Sequence, residues 1–192
     1  MTGAHHGSYT RFLDTPSFSL IEAGFMVQVL MICTGNTCRS PMAEAILRTL
    51  LTPELSGVAR VVSAGTGAVE GAPATPLATQ VCAEGGVDLQ EHRSRPLTAA
   101  LIRASDLILG MEPHHVEYAR RMAPEAAPRI HLVTERGAAS GVVQDGVLDP
   151  MGGSADQYRD TYNRIRSHLL GWLPVIRDHV ERREGVRRSS ES

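Results

Sequence analysis

Hydrophobic and polar positions change their period several times along the chain. Residues 1–25 (MTGAHHGSYTRFLDTPSFSLIEAGF) follow neither the 3.6 repeat of a helix nor the alternation of a strand, and they read as an extension. Met26 immediately precedes the first strong strand pattern, so the extension is either a disordered arm or the product of a start assigned too early, with Met26 as the true start. From Val27 onward, short aliphatic runs alternate with helical patterns. VQVLMI (27–32), VARVVSA (58–64), DLILG (106–110) and RIHLV (129–133) predict four buried strands. Between the first two, PMAEAILRTLL sets Ala43, Ile46, Leu47 and Leu50 on one helical face and pairs Glu44 with Arg48 on another. Shorter patterns predict helices near 76–84, 97–104 and 114–122.

The strongest helical repeat is the last, where Tyr158, Tyr162, Ile165, Leu169, Leu173 and Ile176 recur at spacings of three and four behind a Ser154/Gln157 capping box. Pro174 interrupts it and predicts a kink or an end near Leu170. The polar stretch REGVRRSSES (183–192) reads as a frayed tail, which leaves 26–182 as one domain. Alternation of strand and helix predicts an α/β fold with a parallel sheet, whose sites lie beyond the carboxyl ends of the strands.

Composition narrows the function classes. With 192 residues, 42% of them hydrophobic, the chain can bury a sizeable core, which excludes disorder throughout. All 19 basic residues are arginine, and against 21 acidic residues they leave a net charge of -2, so the balance calls for neither nucleic acid nor an anionic membrane as partner. No apolar run approaches the roughly 18 residues that span a bilayer, and no signal-peptide pattern opens the chain. A cytoplasmic protein is therefore expected. Three cysteines in such a chain predict no disulfide framework, and each thiol is read by itself. His5 and His6, adjacent in the extension, read as solvated rather than metal-binding.

The chemistry lies where the first strand runs into CTGNTCRSPMAEAIL, a loop of small and polar residues followed by a helix with Pro41 at its first position. A strand, a tight loop and a helix N-terminus in succession aim backbone N–H groups into one concavity, an anion site before any side chain is counted. Five residues separate Cys33 from Arg39, enough to wrap a tetrahedral oxyanion with sulfur at its base and a guanidinium at its side. The N–H groups, the helix dipole and Arg39 all favour an anionic sulfur, so Cys33 is expected to be a thiolate and a nucleophile towards phosphorus. Gly35 turns the loop tightly, Asn36 tolerates a left-handed backbone, and Ser40 is placed to cap the helix and to bond the Cys33 sulfur.

The string CTGNTCRSP after a first strand resembles the signature of the low-molecular-weight protein tyrosine phosphatase family, which also contains protein arginine phosphatases and thioredoxin-coupled arsenate reductases. The similarity extends over most of residues 27–180, through SAGT (63–66), GVDLQEHRSRPL, ASDLILGMEPHH and DPMGGS (149–154). The resemblance implies a four-stranded parallel sheet flanked by helices and hydrolysis of phosphorylated proteins through a phosphocysteine, with no metal or organic cofactor. Position by position, it implies Cys33 as nucleophile and Arg39 as the phosphate-binding and transition-state group. Thr34, Gly35, Asn36, Thr37, Cys38 and Ser40 would form the rest of the phosphate loop, and Asp149 would act first as general acid and then as base. On its own residues, Asp149-Pro150 reads equally as a turn. Asn36, Ser40, Ser63 and His92 match a hydrogen-bond network supporting the loop, and Cys38 resembles a partner that forms a reversible disulfide with the nucleophile. Of the pair His114 and His115, the second matches the family, while the residues themselves read as an exposed helix start.

Thr37 stands where tyrosine-directed members carry a larger apolar residue, and Met151-Gly152-Gly153 lacks the aromatic residues that would stack on a tyrosine ring. Both features resemble protein arginine phosphatases, which however carry Phe where Met151 stands. Phosphoarginine is thus the expected substrate, and phosphotyrosine the alternative. Arsenate reduction needs a relay of further cysteines, and Cys82 reads as a small buried hydrophobe. A binding module without turnover would lack Cys33 or Asp149, and a zinc site at Cys33 and Cys38 lacks a knuckle spacing. No pattern in the chain specifies an oligomeric state.

Overall fold

The computed structural model of the chain describes residues 26–137 and 145–190. The extension at 1–25, with His5 and His6, and the last two residues of the polar tail lie outside the described residues. All four predicted strands form: β1 (Val27–Cys33), β2 (Ala59–Gly65), β3 (Leu107–Gly110) and β4 (Ile130–Leu132). They make one sheet in the order β2-β1-β3-β4, with every neighbouring pair parallel. The helices are α1 (Arg39–Leu50), the single turn α2 (Pro53–Ser56), α3 (Pro76–Glu84), α4 (Ala99–Arg103), α5 (Pro113–Met122) and α6 (Ala155–Ser190), with 3-10 turns at Pro124–Arg129 and Val133–Glu135.

A parallel sheet covered on both faces explains why the strands read as continuous aliphatic runs. Val29 and Met31 of β1 join Ile46, Leu47, Val81, Ile165 and Trp172 of α1, α3 and α6 on one face. Leu30 and Ile32 point the other way, into Ile102, Val116 and Ala119 of α4 and α5. Each fully buried Leu or Ile contributes about 1.5–3 kcal/mol of transfer free energy, so β1 is the energetic centre of the fold. It is also the topological centre, because it pairs with β2 on one side and β3 on the other. The crevice at such a switch point opens at the carboxyl end of β1, where Cys33 stands. No helix among the described residues is long and apolar enough to cross a membrane.

Three details differ from the sequence pattern. Helix α1 begins at Arg39, so Pro41 is its third residue rather than its first. That position still has no intrahelical acceptor, so proline sacrifices nothing there. Helix α6 does not end near Leu170 but continues through Pro174 to Ser190. Proline deprives the Leu170 carbonyl of its donor, but both residues are exposed, where water can take that carbonyl, while Trp172, Ile176 and Val180 keep the opposite face buried. The described part of the polar stretch read as a frayed tail, 183–190, is helical and belongs to this helix, and Arg183 bonds Asp106 Oδ1 and the Met26 carbonyl at 2.5 Å each.

Because Pro174 occupies an exposed helix interior, where it removes one hydrogen bond, Pro174→Ala should raise the unfolding free energy by about 1–3 kcal/mol in urea titrations. A lower midpoint would show that the helix depends on its proline.

Candidate active site

The segment Cys33 to Ser40 wraps around a concavity at the end of β1, and its carbonyls are turned away from the centre. Thr66 N donates to the Cys33 carbonyl at 2.9 Å, Gly67 N to Thr34 at 2.9 Å, Thr75 N to Thr37 at 2.8 Å and Met42 N to Cys38 at 3.1 Å. With these four carbonyls matched outside, the N–H groups of Gly35, Thr37, Cys38, Arg39 and Ser40 have no acceptor among the described residues. They form a nest of donors capped by the N-terminus of α1. Ser40 does not cap that helix, as Cys38 holds the N-cap position without a side-chain bond. Its hydroxyl instead lies 2.9 Å from the Cys33 sulfur, which also receives the Asn36 N–H at 3.3 Å.

Gly65, in the SAGT motif, makes this wrapping possible. A Cβ there would come within 2.5 Å of the Thr34 carbonyl and 2.9 Å of Asn36 N, so the loop can lie on β2 only because that strand ends in glycine.

Asn36 is the hub of the loop: it is fully buried and its φ is 53°, the left-handed conformation that the sequence suggested. Its Nδ2 donates to Ser40 Oγ at 3.0 Å and Ser63 Oγ at 2.8 Å, and its Oδ1 accepts the Arg95 N–H at 2.9 Å. Its carbonyl is 2.7 Å from His92 Nε2, which must therefore be the protonated ring nitrogen. Ser63 in turn donates its hydroxyl hydrogen bond to Glu44 Oε2 at 2.5 Å. All four residues expected in the supporting network thus meet here, joined by Glu44 and the Arg95 backbone.

Arg39 is 1% exposed and its guanidinium faces two carboxylates and a carbonyl. Nη2 lies 2.5 Å from Asp149 Oδ2, and Nη1 bonds the Val147 carbonyl at 2.9 Å and the Glu112 carboxylate. A buried cation is tolerable only with such partners, and they bring the Asp149 loop over the mouth of the nest. Asp149 itself is about half open, and its Oδ1 accepts Met151 N at 3.1 Å. Its chain neighbours Leu148 (69% exposed) and Met151 (56%) are open to solvent.

Glu112 escaped sequence reasoning, and His115 was read as an exposed helix start. His114 is indeed exposed, but His115 is fully buried, because its ring completes the cap of α5: the Glu112 N–H donates to His115 Nδ1 at 3.0 Å. Nε2 must then carry the hydrogen, which it directs at Thr34 Oγ1, 2.9 Å away in the loop. Burial, reinforced by the charges of His114 and Arg39, lowers its pKa to about 3. Glu112, His114 and His115 offer ligand atoms within 4.8 Å of one another, yet both His115 nitrogens are committed and the Glu112 carboxylate holds Arg39. This cluster serves the loop rather than a cation.

Cys38 is buried beside the loop, and burial, with the Asp149 charge, pushes its thiol up to about 12. Cys82 is buried in α3 at a similar value, for the same desolvation reason, consistent with a packing role.

The profile of the family described as low molecular weight phosphotyrosine protein phosphatase matches residues 28–184. A probable low molecular weight protein-tyrosine-phosphatase EpsP of Ralstonia nicotianae is 35% identical over 149 residues, covering 78% of this chain and 95% of the relative. A protein-arginine-phosphatase of Bacillus subtilis is also 35% identical, over 74% of this chain and 92% of its own length. The structure of Vibrio vulnificus Wzb in complex with benzylphosphonate superposes with a TM-score of 0.67 at 34% identity, covering 77% of this chain and 97% of that one. Equal identity to tyrosine- and arginine-directed relatives leaves the branch undivided.

The cap geometry carries a pH signature. A histidine held near 3 when folded binds fewer protons than the same residue unfolded, near 6.5, so its stabilisation is complete above about 6.5 and is lost as pH falls towards 3. In His115→Gln, the decline of unfolding free energy between about pH 7 and 5 should be shallower than in the parent. Equal slopes in urea titrations would refute a neutral, donating His115.

Proposed function

The chain belongs to the low-molecular-weight phosphotyrosine protein phosphatase family and is a cysteine-based phosphatase; on that premise, we propose that it hydrolyses protein phosphotyrosine. The observation that carries the chemistry is the convergence of the Cys33 sulfur, the unmatched loop N–H groups, Arg39 and Asp149 on one concavity. The phosphoryl group enters the nest and its equatorial oxygens take the loop N–H groups and the Arg39 guanidinium, displacing the Asp149 carboxylate. The Cys33 thiolate attacks phosphorus in line, the bond from phosphorus to the phenolic oxygen breaks, and Asp149 gives its proton to that oxygen. Water then attacks the phosphocysteine, Asp149 takes its proton, and inorganic phosphate leaves with Cys33 restored as thiolate.

Two observations support tyrosine as the leaving group. Met151, exposed and bonded through its N–H to Asp149, gives the acid loop an apolar side chain that can pack on a phenyl ring, and the family description and the Ralstonia relative carry the same specificity in name. Phosphoarginine is the second reading, favoured by Thr37, whose half-buried hydroxyl in the loop could accept from a guanidinium, and by the Gly152-Gly153 pair. We also propose that Cys38 resolves oxidation of the nucleophile: peroxide converts the Cys33 thiolate to a sulfenic acid, and the Cys38 thiol condenses with it, releasing water.

Matched peptides carrying phosphotyrosine or phosphoarginine, assayed with Cys33→Ser as blank, should show a kcat/KM preference for phosphotyrosine above about tenfold, roughly 1.4 kcal/mol of transition-state discrimination. The reverse ratio would transfer the assignment to phosphoarginine. Asp149→Asn should lower kcat by about 10²–10⁴-fold on phenyl phosphate and much less on an ester whose leaving group needs no proton. Mass spectrometry after mild peroxide should find a Cys33 to Cys38 bridge, and sulfinic acid at Cys33 in its place would refute the protective role of Cys38.

A further inference from the structure

Beyond the edge of the sheet, between α1 and the segment 88–95, lies a second cavity of about 420 Å³ that the reaction does not use. Arg48, Arg60, Arg93 and Arg95 all line it. Arg48 is paired with Glu44 on its own helix, but the other three guanidiniums have no carboxylate partner within the described residues. The Arg60 guanidinium projects from the edge strand β2 with no hydrogen bond among the described residues, that of Arg93 reaches only the carbonyls of Gln90 and His92, and that of Arg95 spends one nitrogen on the Ser63 carbonyl at 2.7 Å. Asp88 and Glu91 also reach the cavity; Asp88 is occupied as acceptor for Gln90 N at 2.8 Å. Three planar forks with free donors around one concavity match the oxygens of a phosphate better than they match any group the chain itself supplies.

The inner wall is the back of the phosphate loop. Ser63, His92 and Arg95 line the cavity, and each holds Asn36: Ser63 by its hydroxyl, His92 by its ring and Arg95 by its backbone N–H. An anion drawing in the Arg95 guanidinium therefore pulls on the segment that fixes the left-handed residue from which the loop takes its shape. From this arrangement, we infer that the cavity is a second binding site, for a small phosphate-bearing anion, and that its occupancy is felt at the phosphate loop through Asn36. The inference goes beyond the proposed activity, and it does not depend on which phosphoester is the substrate.

Inorganic pyrophosphate is a suitable probe, followed by amide NMR so that the two anion sites are read separately. Titration of the full chain should shift signals of residues 60 and 88–95 as well as those of 34–40. Arg60→Ala combined with Arg93→Ala, both exposed and outside the machinery, should lose the first set, retain the second and keep the parental kcat and KM. In the parent, pyrophosphate should change kcat at saturating substrate by at least about fivefold, an effect that competition at the phosphate loop cannot produce and that the double variant should lack. Shifts confined to residues 34–40, or shifts at 88–95 that survive in the double variant, would overturn the second site. Shifts at 88–95 with none at 34–40 would overturn the coupling through Asn36, and would count separately against anion binding by the loop on which the phosphatase reading rests.

Discussion

Amide donors converge on a single point only if the carbonyls of the same segment are turned away and satisfied elsewhere. An unmatched buried carbonyl costs about 1–3 kcal/mol, so the phosphate loop is as stable as the outer shell that receives its oxygens. That shell is drawn from distant parts of the chain: Thr66 and Gly67 after β2, Thr75 before α3, and His92 between α3 and α4. Gly65 lets β2 come close enough for two of these bonds, and Asn36 takes the left-handed turn that reverses the direction of the peptides. The concave face is thus a consequence of the convex one.

The same reasoning applies to charge. Arg39 is among the largest fully buried side chains, and a lone guanidinium there would be untenable. Glu112 and Asp149 compensate it from opposite sides, but they are held differently. Glu112 sits in the cap of α5, whose His115 ring binds the loop at Thr34, so this carboxylate is tied to the helix and to the loop. Asp149 belongs to an open loop next to exposed Leu148 and Met151, so it can exchange its guanidinium for a substrate. A carboxylate in a helix cap and a carboxylate in an exposed loop thus compensate the charge of a single buried arginine.

The half of the site that handles phosphate is buried and over-determined, whereas the half that meets the rest of the substrate is exposed and consists of a few side chains on loops. Leu148 and Met151 are exposed, so sequence can vary there without disturbing the buried loop, and equal identity to tyrosine- and arginine-directed relatives is compatible with one shared fold.

Four strands, their helical crossovers and the loop from Cys33 to Ser40 were legible in the sequence because each depends on local order: aliphatic runs bury both faces, and a string of small residues between strand and helix has few other uses. His92, Ser63 and Asp149 came from resemblance, and their physical reasons are contacts across 27 to 110 residues of chain. Glu112 and the buried state of His115 were hidden, since a Glu-Pro-His-His helix start looks solvated until Arg39 and Thr34 are known to lie against it. Pro174 misled in the same way: local rules end a helix there, and only the packing of Trp172, Ile176 and Val180 carries it on. Sequence by itself determined the sheet and the loop that carries Cys33 and Arg39 between strand and helix, because short-range periodicity and spacing encode them. Tertiary structure alone decided which carboxylates neutralise Arg39, which histidine is neutral and where unpartnered arginines gather, because burial and charge compensation arise only when distant segments meet.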